Sequence, residues 1–225
     1  MTGEEHDDPF LRLDPATSAL IVIDMQGYFI EPGHAFGRFM TGLNEASVRA
    51  FGDRVERLVV PNIQRLLGAF RAAKGHVFYT QMGSFRADRR DMPGWARRHN
   101  RVGEAVVGEP LFPTFDEPSC RLDTRLAPRA DEQVIRKTTS GLLASTRTDQ
   151  MLTVLGIRTV VVCGVLTDVC VAQAARELGD RDFNALVVED ACAALDERVH
   201  RASLDTIAMT FGQVGPTSQV EARYG

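Results

Sequence analysis

The sequence predicts a three-layer α/β fold, a parallel sheet of five to six strands with helices on both faces. Three observations carry this expectation. Short apolar runs such as SALIVID and RTVVVC have the length and β-branched content of strands buried on both sides. Longer segments between them place apolar residues at helical spacing. Glycines stand where those helices should end.

Residues 18–24 form the first strand, an unbroken apolar run closed by the carboxylate of Asp24. Residues 48–74 form a helix whose apolar side includes Val55, Leu58, Val59, Ile63, Leu66 and Phe70, with Gly75 at its C-cap. Residues 76–80 (HVFYT) make the second strand and residues 133–136 a short third one. A helix over 146–155 stops at Gly156, and residues 158–163 are the fourth strand. A helix over 169–178, capped by Gly179, leads to a fifth strand at 183–188 and a last helix over about 197–209. Strands alternating with helices of this length need crossover connections, so the arrangement is Rossmann-like and its strands are parallel. Residues 83–131 interrupt the alternation with five prolines, several arginines and little periodicity. An insertion of that length inside a compact domain is expected to serve as a lid or a subunit contact.

Composition narrows the class. Of 225 residues, 44% are hydrophobic and 25% charged, which excludes a fibrous or wholly disordered chain. Twenty-six basic against 30 acidic residues leave a net charge of -4, so neither nucleic acid nor an anionic membrane is an expected partner. No apolar run approaches the ~18 residues of a membrane span. Residues 1–15 read as a flexible leader. Its Glu4, Glu5, Asp7 and Asp8 stand where a secretory signal would need basic and apolar residues, so a cytoplasmic location is expected. The four cysteines (Cys120, Cys163, Cys170, Cys192) are too sparse for a disulfide scaffold and fit reduced thiols.

In open parallel sheets, ligands bind outside the carboxyl ends of the strands. Three ionisable groups converge on that edge: Asp24 after the first strand, Lys137 after the third, and Cys170 at the start of the helix that follows the fourth. A cysteine in a first helical turn beside an ammonium is favoured as thiolate, the form that attacks carbonyl carbon. Taken singly, each residue has an ordinary reading: a turn carboxylate, a solvated lysine, a small buried hydrophobe. Nucleotide binding is disfavoured, because neither GxGxxG nor GK[ST] occurs after a strand.

Ile23-Asp24-Met25-Gln26 with Phe29, Lys137 with Ser140-Gly141 and Thr146, Gly156-Ile157, and Asp190-Ala191-Cys192-Ala193 together form a pattern whose most specific part is Gly164-Val165-Leu166-Thr167-Asp168-Val169-Cys170-Val171. In these residues the chain resembles the isochorismatase-like cysteine hydrolases, which include nicotinamidases, N-carbamoylsarcosine amidases, ureidoacrylate amidohydrolases and biuret hydrolases. The resemblance covers about residues 16–212 and implies a hydrolase domain over 16–225. It implies a catalytic triad of Cys170 as nucleophile, Asp24 as general base and later acid, and Lys137 as the cation beside both. It also implies a cis peptide between Val165 and Leu166, with the backbone amides of Leu166 and Cys170 as oxyanion donors. The reaction expected is hydrolysis of a C–N bond in a small amide, carbamoyl or ureido compound through a thioester. The alternatives are a vinyl-ether hydrolase of the isochorismatase type in which Cys170 is a spectator, and a non-catalytic small-molecule-binding module. Family members are usually homo-oligomers, so a homodimer or homotetramer is expected.

Gln26, Phe29, Trp95 and Thr167 are the expected substrate contacts, with packing beneath the insertion as the other reading of Trp95. Arg86, Arg89, Arg90, Arg97 and Arg98 suit either a substrate carboxylate or a solvated surface. One departure matters. Nicotinamidases carry an aspartate and histidines that hold a metal just after the second strand, whereas here Thr80 leads into Gln81-Met82-Gly83-Ser84-Phe85-Arg86. With the five histidines scattered, neither a metal nor an organic cofactor is expected.

Overall fold

A computed structural model of the chain describes residues 13–224. The expected leader lies outside the described residues as far as residue 12, and Leu13 is already buried in the core. The elements run β1 (Ser18–Ile23), α1 (Gly27–Ile30), α2 (Ala35–Arg54), α3 (Val60–Ala72), β2 (His76–Met82), α4 (Gly94–Val107), β3 (Gln133–Lys137), α5 (Thr148–Val154), β4 (Thr159–Val165), α6 (Ala172–Gly179), β5 (Asn184–Ala193), α7 (Glu197–Thr206), β6 (Gln213–Gly215) and α8 (Thr217–Tyr224). The six strands are all parallel, in the order β3-β2-β1-β4-β5-β6. Every residue of β1 and β4 is buried, which is why both sequences are continuous apolar runs rather than alternating ones.

That order reverses direction between β1 and β4, and the crevice beyond their carboxyl ends is where doubly wound sheets place ligands. Asp24 leaves β1 at this point, and the turn carrying Cys170 leaves β4 beside it. Between them Gly164, opposite Ile23, has φ of 114°, and a Cβ there would lie 2.1 Å from the Ile23 carbonyl oxygen. Only glycine fits so close a backbone approach. The β4–β5 register shifts at the same place.

Several expected boundaries move. The helix expected over 48–74 is two helices, α2 and α3, joined by a π turn at Val55–Val59 that precedes Pro61. The wider turn accommodates the proline and rotates the apolar stripe, which leaves Leu58 exposed. The left-handed residues after α3 and α6 are Lys74 and Asp182, not Gly75 and Gly179, whereas Gly156 does close α5, where the Gly156 and Ile157 amides reach back to the Thr153 and Leu152 carbonyls. β5 runs to Ala193, so Asp190-Ala191-Cys192-Ala193 lies inside it rather than after it.

Residues 83–131 are not structureless. They contain α4, whose Ala96 and Asn100 are buried, and the Asn100 side chain accepts from the Phe112 amide at 2.8 Å. Two arginines of this segment are held locally: Arg86 by Asp88 at 2.8 Å, and Arg89 by Glu117 and by the Phe112 carbonyl at 2.9 Å. Among the described residues, no helix is long and apolar enough to cross a membrane.

Candidate active site

Asp24 sits in the left-handed region (φ 46°), which an aspartate tolerates better than a β-branched residue and which turns its carboxylate sharply out of β1. Both oxygens are engaged. Oδ1 accepts from the Thr80 hydroxyl at 2.6 Å, and Oδ2 lies 2.8 Å from Lys137 Nζ. Thr80 also accepts from the Asp24 amide at 3.1 Å. The ammonium of Lys137, fully buried at the end of β3, donates in addition to the carbonyls of Thr139 and Ser140 at 3.0 and 3.1 Å. An ion pair this dry survives only with such supporting bonds. Burial by itself would pull the Lys137 pKa down, but the charges and hydrogen bonds of Asp24 and Cys170 outweigh it and hold the pKa above its ordinary value.

Cys170 lies in a π turn, Thr167–Val171, that follows β4 across the Val165–Leu166 bond, which is cis. Its thiol lies within electrostatic reach of both Asp24 and Lys137. The structure therefore brings the three expected residues from three strand ends to one point. Against the thiolate expected from the sequence, burial pushes the thiol pKa up and Asp24 adds to that, while Lys137 pulls it down. Moving the thiol proton to Asp24 leaves the net charge of the cluster unchanged, which is the low-cost way to make a thiolate in a dry site.

On its other side Cys170 opens onto a cavity of about 370 Å³, walled by Phe29, Phe36, Trp95, Phe112 and Leu166 among others. Phe29 and Trp95 stand where substrate contacts were expected. Gln26 and Thr167 do not, and both are corrected here. Gln26 is fully buried, its amide nitrogen donating to the Cys120 and Met82 carbonyls at 2.8 and 3.2 Å and its oxygen accepting from the Met82 amide at 2.8 Å. It ties the start of α1 to the end of β2. Thr167 is likewise buried, and its hydroxyl faces His200 Nδ1 at 2.9 Å. Arg54 donates to Nε2 of the same ring at 3.0 Å, so Nδ1 carries the hydrogen given to Thr167. Burial, reinforced by Arg54, lowers the His200 pKa to about 4.

Sequence reasoning missed Thr80, the Ser140 carbonyl as an acceptor for the lysine, and the His200–Arg54 brace. A threonine at the inner end of a strand beside a strand-end carboxylate was the available signal for the first. Nothing local marked His200, which is 33 residues from its partner. Among the described residues, no three His, Cys, Asp or Glu side chains converge as metal ligands, and all four cysteines are free and buried.

The comparisons with known proteins fit this geometry. A family model described as the isochorismatase domain matches residues 18–219. The ureidoacrylate amidohydrolase RutB of Methylobacterium radiotolerans is 29% identical over 96% of this chain and 82% of its own. The secreted isochorismatase effector Isc1 of Verticillium dahliae is 27% identical over 87% of this chain and 85% of its own. A crystal structure of a cysteine hydrolase from Pseudomonas syringae pv. phaseolicola superposes with a TM-score of 0.78 at 28% identity, covering 94% of each chain. A model match over nearly the whole described chain, with a doubly wound sheet like those of its solved neighbours, makes this chain an isochorismatase-family hydrolase.

Proposed function

We propose that the protein hydrolyses a C–N bond of a small non-peptide amide, carbamoyl or ureido compound, with Cys170 as nucleophile. The observation that carries this reading is the meeting of Asp24, Lys137 and Cys170 at the switch point of the sheet, with the thiol opening onto a cavity. The ureidoacrylate amidohydrolase among the relatives supports the bond type.

In the first half-reaction Asp24 takes the thiol proton as sulfur bonds to the acyl carbon, and the carbonyl electrons move onto oxygen. The backbone amides of Leu166 and Cys170 hold that oxyanion, a role worth about 3 kcal/mol per donor. Collapse breaks the C–N bond, and protonated Asp24 delivers its proton to the departing ammonia or amine. In the second half, Asp24 draws a proton from water, hydroxide adds to the thioester, and the thiolate leaves to be reprotonated. Lys137 remains charged throughout and holds the carboxylate in place at 2.8 Å. The steps use only protein groups, in the cytoplasm and in a homodimer or homotetramer on this reading.

The test is ammonia release from a panel of amides, ureas and carbamoyl compounds by the wild-type chain and by Cys170→Ala. Turnover lost with the thiol supports the reading. Turnover retained by the alanine variant makes Cys170 a spectator, as a vinyl-ether hydrolase would have it.

A further inference from the structure

The lining of the cavity carries information about charge. Its wall is aromatic and preformed: Phe29 meets Phe36 edge-on at 5.3 Å and Trp95 meets Phe112 edge-on at 5.6 Å, so the rings hold one another in place. Apart from the Cys170 thiol and the Trp95 indole N–H, the side chains with polar groups on the lining are Asp168 and His99. One carboxylate oxygen of Asp168 is buried without a hydrogen-bond partner. His99 donates from Nδ1 to the Trp95 carbonyl at 2.8 Å, which leaves Nε2 as an acceptor in the neutral ring. Asp168 and His99 therefore offer acceptors, beside the one indole donor of Trp95.

No lysine or arginine lines the cavity among the described residues. Around the site, Lys137 is engaged with Asp24 behind the thiol, Arg38 with Glu109 at 3.1 Å, and Arg54 with His200 and the Cys192 carbonyl, while Arg49 lines an adjoining pocket that shares Phe29, Phe36, Met40 and Leu195 with this one. A carboxylate entering here would lose its hydration, find no counter-charge and face Asp168. An N–H donor would meet the Asp168 side chain on the wall.

We propose that the site takes an uncharged, apolar or aromatic amide with N–H donors and rejects amides that carry a carboxylate. This rests on the C–N hydrolase reading and sets the chain apart from its ureidoacrylate-hydrolysing relatives, whose substrate is an acid by name. The cavity volume, near the lower end of ordinary small-molecule sites, suits a single ring or a branched alkyl group.

The test separates binding from turnover. Calorimetry at mildly alkaline pH, where free histidine is neutral, compares para-toluamide, para-carbamoylbenzoate and ureidoacrylate on Cys170→Ala, with Cys170→Ser as a second inactive form. The expected result is para-toluamide bound at least about tenfold more tightly than either acid, with Asp168→Asn in the same background narrowing the gap severalfold. Equal or tighter binding of either acid overturns the proposal, and so does failure of para-toluamide to bind at about 10 mM. If para-toluamide binds as expected but the wild-type chain turns over no amide of the panel, the hydrolase reading fails while the charge selectivity of the cavity stands.

Discussion

The two sides of Cys170 are built from opposite materials. Towards the sheet the thiol meets a buried charge cluster drawn from the ends of β1, β2 and β3, in which Asp24 accepts from Thr80 at 2.6 Å and pairs with Lys137 at 2.8 Å. Towards solvent it meets aromatic rings supplied by α1, α2 and the 83–131 segment. The first side is tied to the register of the sheet and cannot be altered without disturbing it. The second hangs on helices and an insertion, which can change shape while the strand ends stay put. The comparison separates reaction from selectivity, and substitutions on the two sides should fail in different ways.

Breaking the cluster should give the largest effects. Cys170→Ala should lower kcat by at least about a thousandfold with folding retained, measured by ammonia release and by circular dichroism. Lys137→Met leaves the Asp24 carboxylate buried without its counter-charge, so unfolding free energy should fall by about 3 to 5 kcal/mol and activity with it. Adding Asp24→Asn to that variant should restore part of the stability but none of the activity, a pattern that urea midpoints read directly.

A smaller effect belongs to the brace behind the π turn. The His200 pKa of about 4 lies below the ordinary value of 6.5, so as pH falls the unfolded chain takes up the proton first. Stability from this group is complete above pH 6.5 and is lost through the window down to about 4, a change of about 3 kcal/mol. Urea titrations across that window should show the slope in the wild type and a shallower one in His200→Gln.

Thr80→Val keeps the shape but removes a bond to a charged acceptor, worth about 1.5 to 3 kcal/mol, and should lower kcat roughly ten- to a hundredfold with KM little changed. Trp95→Ala, on the aromatic side, should do the reverse: KM up about tenfold and kcat nearly kept. A Trp95 variant that lost kcat alone would break the division between the two sides.

The charge cluster was more legible in the sequence than the cavity. Asp24 and Cys170 follow strands that are continuous apolar runs, and Lys137 closes the short, mostly polar β3, so their convergence could be inferred from the alternation of strands and helices before any coordinate. Gln26 and Thr167 lie beside catalytic positions in the chain, and adjacency was misleading there: the first is turned into the joint between α1 and β2, the second towards α7. Thr80 was silent because a buried strand threonine is ordinary until the carboxylate opposite it is known. For Cys170, helix position and a nearby lysine favour thiolate, whereas desolvation and the neighbouring carboxylate, tertiary effects the sequence does not display, push the thiol pKa up.

The central claim is that carbon is transferred to sulfur at Cys170, and intact-mass analysis of acid-quenched turnover mixtures tests it most directly. The account predicts an adduct of the acyl mass during turnover, mapped by peptide digestion to Cys170, and absent from Cys170→Ala. Steady turnover of an amide with no adduct in the wild type, and with comparable rate in the alanine variant, would contradict it.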